Sequence, residues 1–510
     1  MIREEIKKLV EKALKDLYKM EVEVEIEKSA EVSFGDYSTN IAMILRKNPG
    51  EITSAIKSDI LEKIEVKNSF INFFVSKEYS RKQVGEILKE KESFGNLKVG
   101  KGQKVNVEFI SANPTGPLTL GNGRGGFCGD VLANVLTKTG YKVEREYYIN
   151  DVGEQIKKLG HSVIGDSEAV YKGPYIEELR KKNLGSNLDE VGKKAAKIIL
   201  EEMIKPSIKK MGIKFDNWFY ESDLYKKGEV DKILEELGKK NLSYEKENAL
   251  WFRSTQFGDD KDRVLVKTDG EKTYLASDTA YLKNKFQRGF NKLIYIWGAD
   301  HYGYIGRIKA AAEAFGYKKE QIDIIIMQLV RLLSKGKEVR MSKRTGTYIV
   351  LDELIDEVGL DIARFFFLTR SPNTHLNFDL DLAKEQSEKN PVYYIQYAYA
   401  RICSIFKKAL GYKPEAKNLE LLNHVSELKL IKQLIKFPEI IEDTAEDYQV
   451  QRIPQYALDL ANSFHLFYRD CRVINEDKNL EKVRLALVLA TKIILKNTLD
   501  LMGISAPEKM

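Results

Sequence analysis

Lys104-Val105-Asn106-Val107-Glu108-Phe109, followed by Ser111-Ala112-Asn113-Pro114-Thr115-Gly116-Pro117-Leu118-Thr119-Leu120-Gly121-Asn122-Gly123-Arg124-Gly125-Gly126, is the stretch that decides the fold. Val105, Val107 and Phe109 alternate with other residues, as in a strand. Five glycines and two prolines then fill a loop, and Phe127, Val131, Leu132, Val135 and Leu136 recur at helical spacing until Gly140 closes the helix. Tyr141 to Ile149 reads as a second strand. A strand, glycine loop, helix and strand in that order open a doubly wound parallel sheet. The loop sits where a helix N-terminus offers its free amides and positive dipole end to an anion, and glycines let a bulky one approach. The same loop read alone is also compatible with a tight connection. It lacks the Gly-Lys-Ser/Thr of a P-loop and the dinucleotide fingerprint.

Outward from this unit, Leu293 to Trp297 and Ile322 to Met327 are apolar enough to predict strands covered on both faces. Before it, Ile2, Ile6, Leu9, Ala13 and Leu17 predict a helix, the alternating Val22, Val24 and Ile26 a strand, and Phe70 to Val75 another. These form a small α+β unit ending in the glycine- and lysine-containing segment 95–102. Beyond Asp379 the pattern is helical, with Tyr456, Leu460, Phe464 and Phe467 on one face and a long apolar helix stopping at Gly503. The expected architecture is a multidomain α/β protein. Residues 1–100 form an N-terminal α+β domain, 101–378 a Rossmann-type parallel-sheet domain, and 379–510 an all-α C-terminal domain.

At 510 residues, with 43% apolar and 31% charged residues, the composition is that of a globular protein rather than a disordered one. The longest aliphatic run near the C-terminus, Leu485 to Ala490, is far below the ~20 residues a bilayer requires, and the acidic start Met1 to Ile6 does not read as a secretory signal. Cys128, Cys403 and Cys471 have neither disulfide-framework nor zinc-ligand spacing and read as ordinary thiols of a reducing cytosol. Segments 1–100 and 379–510 each hold as many basic as acidic residues, so the formal surplus of +7 lies wholly in the middle. An acidic partner for the central domain fits that distribution, as does scattered solvated charge.

Far downstream, Lys335-Gly336-Lys337-Glu338-Val339-Arg340-Met341-Ser342-Lys343-Arg344-Thr345-Gly346 sets five cations in a loop suited to charge developing on a polyphosphate. By itself it could equally be a solvated charge run. The two segments together, Pro-x-Gly-x-Leu-x-x-Gly after a strand and Met-Ser-Lys after a later one, resemble the signatures of class I aminoacyl-tRNA synthetases. Within that class the chain looks like the arginyl-tRNA synthetase family nearly end to end. The matching segments are Phe34 to Asn40, Glu108 to Pro114, Trp297 to Tyr304, Arg340 to Gly346, Asn390 to Ala398 and Gly503 to Pro507.

The resemblance implies ATP-dependent activation of L-arginine to arginyl-adenylate, then transfer to the 3′ end of tRNA(Arg), with activation dependent on bound tRNA. It implies ATP as substrate with Mg2+, and no zinc, flavin or nicotinamide. Thr119, Asn122, Arg340, Lys343 and Arg344 would act on the phosphates, with Pro117, Gly121, Gly123, Asp300, His301, Met341 and Ser342 around ATP. Glu108, Asn113, Glu221, Tyr274 and Asp278 would hold arginine. A forked, permanently charged guanidinium calls for a carboxylate able to receive two bonds. Phe34, Tyr37 and Asn40 would meet the tRNA, and the Tyr393, Tyr394, Tyr397 and Tyr399 cluster lies near the start of the anticodon-reading module. No metal ligand set of the protein's own is expected, and a cytoplasmic monomer is.

Most class I members carry histidine at both ends of a His-x-Gly-His core, where this chain has Thr119-Leu120-Gly121-Asn122. Neither replacement can carry positive charge, which moves phosphate stabilisation toward the cationic loop, metal and backbone amides. The departure also motivates a rival, a synthetase-like tRNA-binding or regulatory protein without turnover. A second rival is a synthetase of the same class with another amino acid. Read locally, Asp278 could cap a helix over Thr279 to Phe286, Glu108 could be a strand-face charge, and Asp300 with His301 a metal or core pair. The span from Thr119 to Met341 leaves no room for the large editing insertion of the isoleucine, leucine and valine enzymes. A pocket of carboxylates already rejects uncharged analogues.

Overall fold

The computed structural model describes residues 1–29, 31–339, 350–409 and 416–510. Arg340, Met341, Ser342, Lys343 and Arg344 therefore lie outside the described residues.

The N-terminal unit packs the helix Ile2–Tyr18 on a four-stranded antiparallel sheet, β1 (Glu27–Lys28), β2 (Tyr37–Thr39), β3 (Leu61–Lys67) and β4 (Phe70–Val75), in the order β1-β2-β4-β3. The strand expected over Val22 to Ile26 is not one. Val24 and Ile26 are buried in the unit's core, so the alternation is real, but no neighbouring strand is there to bond them and pairing begins only at Glu27. Alternating burial without a hydrogen-bonding partner gives an extended segment, not a strand.

The central sheet is parallel throughout: β5 (Lys104–Glu108), β6 (Lys142–Ile149), β7 (Asn217–Tyr220), β11 (Lys292–Gly298) and β12 (Ile322–Met327), in the order β12-β11-β5-β6-β7. A small antiparallel sheet, β8 (Ser243–Lys246), β9 (Ala249–Phe252) and β10 (Arg263–Val266), lies in the stretch between β7 and β11. The chain winds outward from β5 one way to β6 and β7 and the other way to β11 and β12. The winding direction thus reverses between β5 and β11, and the crevice beyond the C-terminal ends of such strands is where open α/β sheets bind ligands. β12 is the edge strand and its middle residues are half-buried, because one side has no neighbouring strand. Its successive middle residues, which point to opposite faces, are all half-buried, so the expected cover on both faces is only partial.

The pleat of β5 separates two environments. Val105 and Val107 join the large core beneath the helix Leu120–Lys138, while Asn106 and Glu108 point to the opposite face under the helix Tyr274–Gln287. The large core continues without a break into the C-terminal helices Pro391–Lys408, Val425–Ile435, Phe437–Asp447, Arg452–Asp470 and Lys478–Met502. Buried Arg364 stitches this junction. Its guanidinium donates to Asp130 Oδ2 at 3.0 Å, Met211 O at 2.9 Å and Met502 O at 2.8 Å, each from a different part of the chain.

β13 (Val330–Ser334), β14 (Lys337–Glu338) and β15 (Leu376–Asp379) form a three-stranded sheet in the order β14-β13-β15, and the hairpin β13-β14 leads into the cationic segment. Where that segment ends, Val350 bridges Thr119 and the Leu351 amide donates to Leu118 O at 2.9 Å. Gly123 makes this approach feasible: a Cβ there would meet Leu351 Cδ1 at 2.5 Å. The chain therefore returns from the cationic segment directly onto the glycine loop. No helix among the described residues is long and apolar enough to cross a membrane, and the three cysteines are buried and free.

Candidate active site

At the reversal point lies a cleft of about 550 Å³ lined by Glu108, Asn113, Asn122, Tyr148, Tyr274, Asp278, Trp297, Asp300, His301 and Tyr304, among others. Residues from the ends of β5, β6 and β11 and from the first turns of two helices converge there.

β5 does not run straight into the glycine loop. Ile110 and Ser111 take left-handed backbone angles, φ +66° and +36°, conformations costing about 1–3 kcal/mol each for residues with a Cβ. The kink swings Ser111 back so that its hydroxyl donates to Glu108 Oε1 at 3.2 Å and accepts the Tyr148 amide at 3.1 Å. Glu108 and β6 are thus tied together at the mouth of the cleft. The pattern of alternating apolar residues carries no signal of this kink.

Beyond the kink, Thr119 caps the helix Leu120–Lys138. The Thr119 amide and hydroxyl both donate to Asn122 Oδ1 at 2.9 Å, and the Asn122 amide faces Thr119 Oγ1 at 3.5 Å. This reciprocal box consumes the Thr119 hydroxyl proton, while Asn122 keeps its side-chain NH2 for a ligand. Gly121 is exposed at the same turn and Pro117 is partly accessible. Gly123 is buried against Leu351, so it shapes the loop from inside.

On the other wall, the helix Tyr274–Gln287 begins at N-cap Thr273, which puts Asp278 past the first turn. Its local reading as a helix cap is therefore excluded. Asp278 Oδ2 accepts the Tyr304 hydroxyl at 2.7 Å. Burial raises the Asp278 carboxyl to about 7 despite that bond, with Glu108 adding repulsion. Glu221, only 2% exposed at the end of β7, is likewise pushed to about 7, chiefly by burial, against a hydrogen bond from Ser277 and with repulsion from Asp278. Among the described residues neither carboxylate forms an ion pair. A half-buried carboxylate and a buried one that repel each other without a cation are costly unless a cationic ligand completes them. Tyr274, 46% exposed one turn before Asp278, lines the same end.

Asp300 and His301 lie in the turn Ala299–Tyr304 just past β11, with their side chains largely exposed, and His301 Nε2 is 3.4 Å from Asp300 Oδ2. They form the outer rim. Among the described residues there is no grouping of three His, Cys, Asp or Glu that could hold a metal ion. The structure thus brings Glu108, Asn113, Asn122, Tyr274, Asp278, Asp300 and His301 to one cleft, whereas Glu221 does not line it and lies only near enough to Asp278 to be repelled by it. The sequence reading gave no role to Tyr304, Tyr148 or Lys285, whose partners are distant in the chain, nor to Ser111, which joins nearby Glu108 to distant Tyr148 only through the kink.

Tyr37 requires a correction. It is 4% exposed, and its hydroxyl donates to Glu439 Oε1 at 2.8 Å, so it clamps the N-terminal unit to the C-terminal helices and presents no face to a base. Asp36 adds a second tie, accepting the Val75 amide at 2.9 Å and pairing with Lys432 at 2.6 Å. Phe34 and Asn40 stay partly accessible, with Lys67 Nζ 4.3 Å from the Phe34 ring centroid. In the C-terminal domain Tyr399 is core, whereas Tyr397 is exposed on a cleft of about 810 Å³ with Arg401, Lys408, Tyr468, Arg469 and Arg472. The Arg401 guanidinium lies 4.5 Å from the Tyr397 ring and 4.9 Å from that of Tyr468. Cations interleaved with rings suit single-stranded nucleic acid.

A parallel sheet that reverses beside a glycine-rich helix start, with the chain after the cationic segment bridged to that start at Val350 and a helical domain behind, is the arrangement expected of a class I aminoacyl-tRNA synthetase, and the family matches show that class. Residues 83–165 and 175–379 match the family model for the class I (R) tRNA synthetase catalytic domain, 4–75 that for the arginyl tRNA synthetase N-terminal domain, and 395–510 that for the DALR anticodon binding domain. The chain is 45% identical to an arginine–tRNA ligase of Carboxydothermus hydrogenoformans, over 96% of this chain and 95% of that one. It is 44% identical to that of Caldanaerobacter subterraneus subsp. tengcongensis, over 100% and 99%. The solved Thermus thermophilus arginyl-tRNA synthetase shares the fold with a TM-score of 0.83 at 22% identity, each chain fully covered. This chain belongs to the arginyl-tRNA synthetase family.

The raised carboxyls give the site a pH signature. Their native values, about 7, exceed the ordinary 3.8 for Asp278 and 4.5 for Glu221, so the empty native protein binds protons that the unfolded chain has released, and its stability falls as pH rises from about 4 to about 7. A cationic ligand needs the ionised forms, so its binding strengthens over the upper part of that window. The arginine KM is expected to fall by roughly tenfold or more between pH 6 and 8, the change for a group going from a tenth to nine tenths ionised, and to level off above. Steady-state kinetics across pH checks this; a flat profile contradicts it.

Proposed function

We propose that this chain catalyses the ATP-dependent attachment of L-arginine to tRNA(Arg). Arginine and ATP form arginyl-adenylate and pyrophosphate, and the arginyl group then passes to the 3′-terminal ribose. The observation that carries the choice of amino acid is the pair Asp278, half-buried in the cleft wall, and Glu221, buried near it, two carboxylates with no cation among the described residues.

In this reading the guanidinium lies between those carboxylates under Tyr274. Glu108 and Asn113 take the α-amino and α-carboxyl groups, which turns the carboxylate toward the Asn122 edge. ATP lies along Pro117 and Gly121, with Gly123 packed on Leu351 behind them, its adenosine is near Asp300 and His301, and its triphosphate meets Arg340, Met341, Ser342, Lys343 and Arg344. Mg2+ would come with ATP and would supply neutralising charge to the triphosphate. The arginine carboxylate attacks the α-phosphorus, the bond from that phosphorus to the α,β-bridging oxygen breaks, the β- and γ-phosphates leave together as pyrophosphate, and charge accumulating on it is met by Lys343 and its neighbouring cations. Since Thr119 spends its hydroxyl on Asn122, the Asn122 amide and the helix amides are the direct donors from the first loop.

tRNA contacts are assigned to the Tyr397 and Arg401 cleft and to Phe34 and Asn40, and the protein is taken as a cytoplasmic monomer whose activation step waits for tRNA. Charging of total tRNA, tried with each amino acid, tests the function. Arginine alone is expected to be attached. Charging with a different amino acid supports the rival specificity, and tRNA binding without turnover supports the regulatory rival. ATP–pyrophosphate exchange with arginine is expected only when tRNA is added.

A further inference from the structure

Of the carboxylates that line the cleft, Glu108, Asp278 and Asp300, one already has a buried cation. Lys285, two turns beyond Asp278 on the same helix, is fully buried, and its Nζ donates to Glu108 Oε2 at 2.6 Å. It sits between the rings of Tyr281 and Tyr295, 4.4 and 4.1 Å from their centroids. Glu146, the next strand's equivalent of Glu108, is 3.5 Å away but has other partners. It accepts two bonds from Arg288, at 2.5 and 2.8 Å, and one from the Tyr281 hydroxyl at 2.5 Å. Burial tends to raise the Glu146 carboxyl, yet Lys285, Arg288 and Tyr281 hold it down at about 2. Lys285 thus lies between both carboxylates, and its hydrogen bond goes to Glu108.

A structural ion pair would need nothing further, but this pair lies at the cleft. Glu108 Oε2 is fixed by Lys285 and Oε1 by the Ser111 hydroxyl, so the carboxylate plane cannot turn. The lysine itself does not line the cleft, whereas Glu108, Tyr281 and Tyr295 do. Neutralising Glu108 leaves Asp278 and Glu221 as the unmatched negative charge of the site.

We propose that Lys285 is a positioning residue for the amino-acid substrate, orienting Glu108 toward the α-amino group and confining the unmatched negative charge to the end of the cleft that receives the side chain. This rests on the reading of the cleft as an arginine site. It gives Lys285 a role through Glu108, not through contact with substrate.

A double-mutant cycle over Lys285→Met, Glu108→Gln and the pair tests it, with arginine KM, ATP KM and kcat measured for each. Lys285→Met is expected to raise the arginine KM at least tenfold while the ATP KM stays within about twofold. The double variant is expected to match Glu108→Gln alone. Arginine and ATP KM rising together in Lys285→Met, or effects that multiply in the double variant, would overturn the proposal. If Lys285→Met does not fold because Glu108 is left buried and unpaired, the double variant, which leaves no such charge, is compared with Glu108→Gln, and unequal arginine KM values overturn it. Unmutated protein that fails to charge tRNA with arginine overturns the parent reading instead.

Discussion

Asp278→Asn is expected to lower kcat/KM for arginine by on the order of 10⁴, the penalty typical when a site built around one polar group loses its match. The substitution conserves shape and can still accept the Tyr304 hydroxyl, so the fold should persist. It removes one of two charges facing the guanidinium and substitutes an amide whose NH2 points donors at donors. The loss should appear mostly in arginine KM, with ATP KM within about twofold. The pH dependence should shrink too, because one of the two groups raised to about 7 has gone. Stability should change the other way at neutral pH, since an unpaired half-buried carboxyl is removed, and a thermal melt at pH 8 checks that directly. A variant with unchanged arginine KM would mean that the guanidinium lies elsewhere.

The second large effect is on turnover. Lys343→Ala should reduce kcat for adenylate formation by about 10² to 10³, the usual cost of losing one donor aimed at developing charge, or roughly 3–4 kcal/mol. Arginine KM should barely move, because the ammonium is needed when pyrophosphate departs and not when arginine binds. Thr119 and Asn122 make this chain more dependent on that lysine than a relative with two histidines would be. Its first loop supplies neutral donors, and one of them is committed to the helix cap. Single-turnover measurements separate chemistry from product release; a variant defective in arginine binding with normal turnover would refute the assignment.

The parts of this molecule that were legible in the sequence are those encoded within a few residues. Strand β5, the end of the following helix at Lys138 and β6 follow from a period that switches between 2 and 3.6 around glycine, and the structure has each within a residue or two; the helix itself begins at Leu120, earlier than its apolar spacing announces, so Gly121, Gly123, Gly125 and Gly126 lie in its first turns and not in the loop. Val22 to Ile26 shows the limit of that logic, since alternation reports burial and cannot report whether a neighbouring strand exists. Asp278 was legible only through the family likeness. Read locally it resembles a cap, and its significance comes from Tyr304 and Glu221, which reach it from other elements. Lys285 left no trace among the chain's many lysines. Its burial depends on carboxylates of β5 and β6 that are more than a hundred residues away in sequence. Tyr37 misled for the same reason, because an aromatic ring in a short motif looks like a platform until Glu439 is seen to hold it.

A crystal structure of the protein with L-arginine and a non-hydrolysable ATP analogue would probe the whole scheme at once. The guanidinium should lie between the carboxylates of Asp278 and Glu221, and the triphosphate between the backbone at Gly121 and the segment 340–346. Arginine bound with its α-carboxylate at Asp278, or a triphosphate seated away from Gly121, would contradict the account.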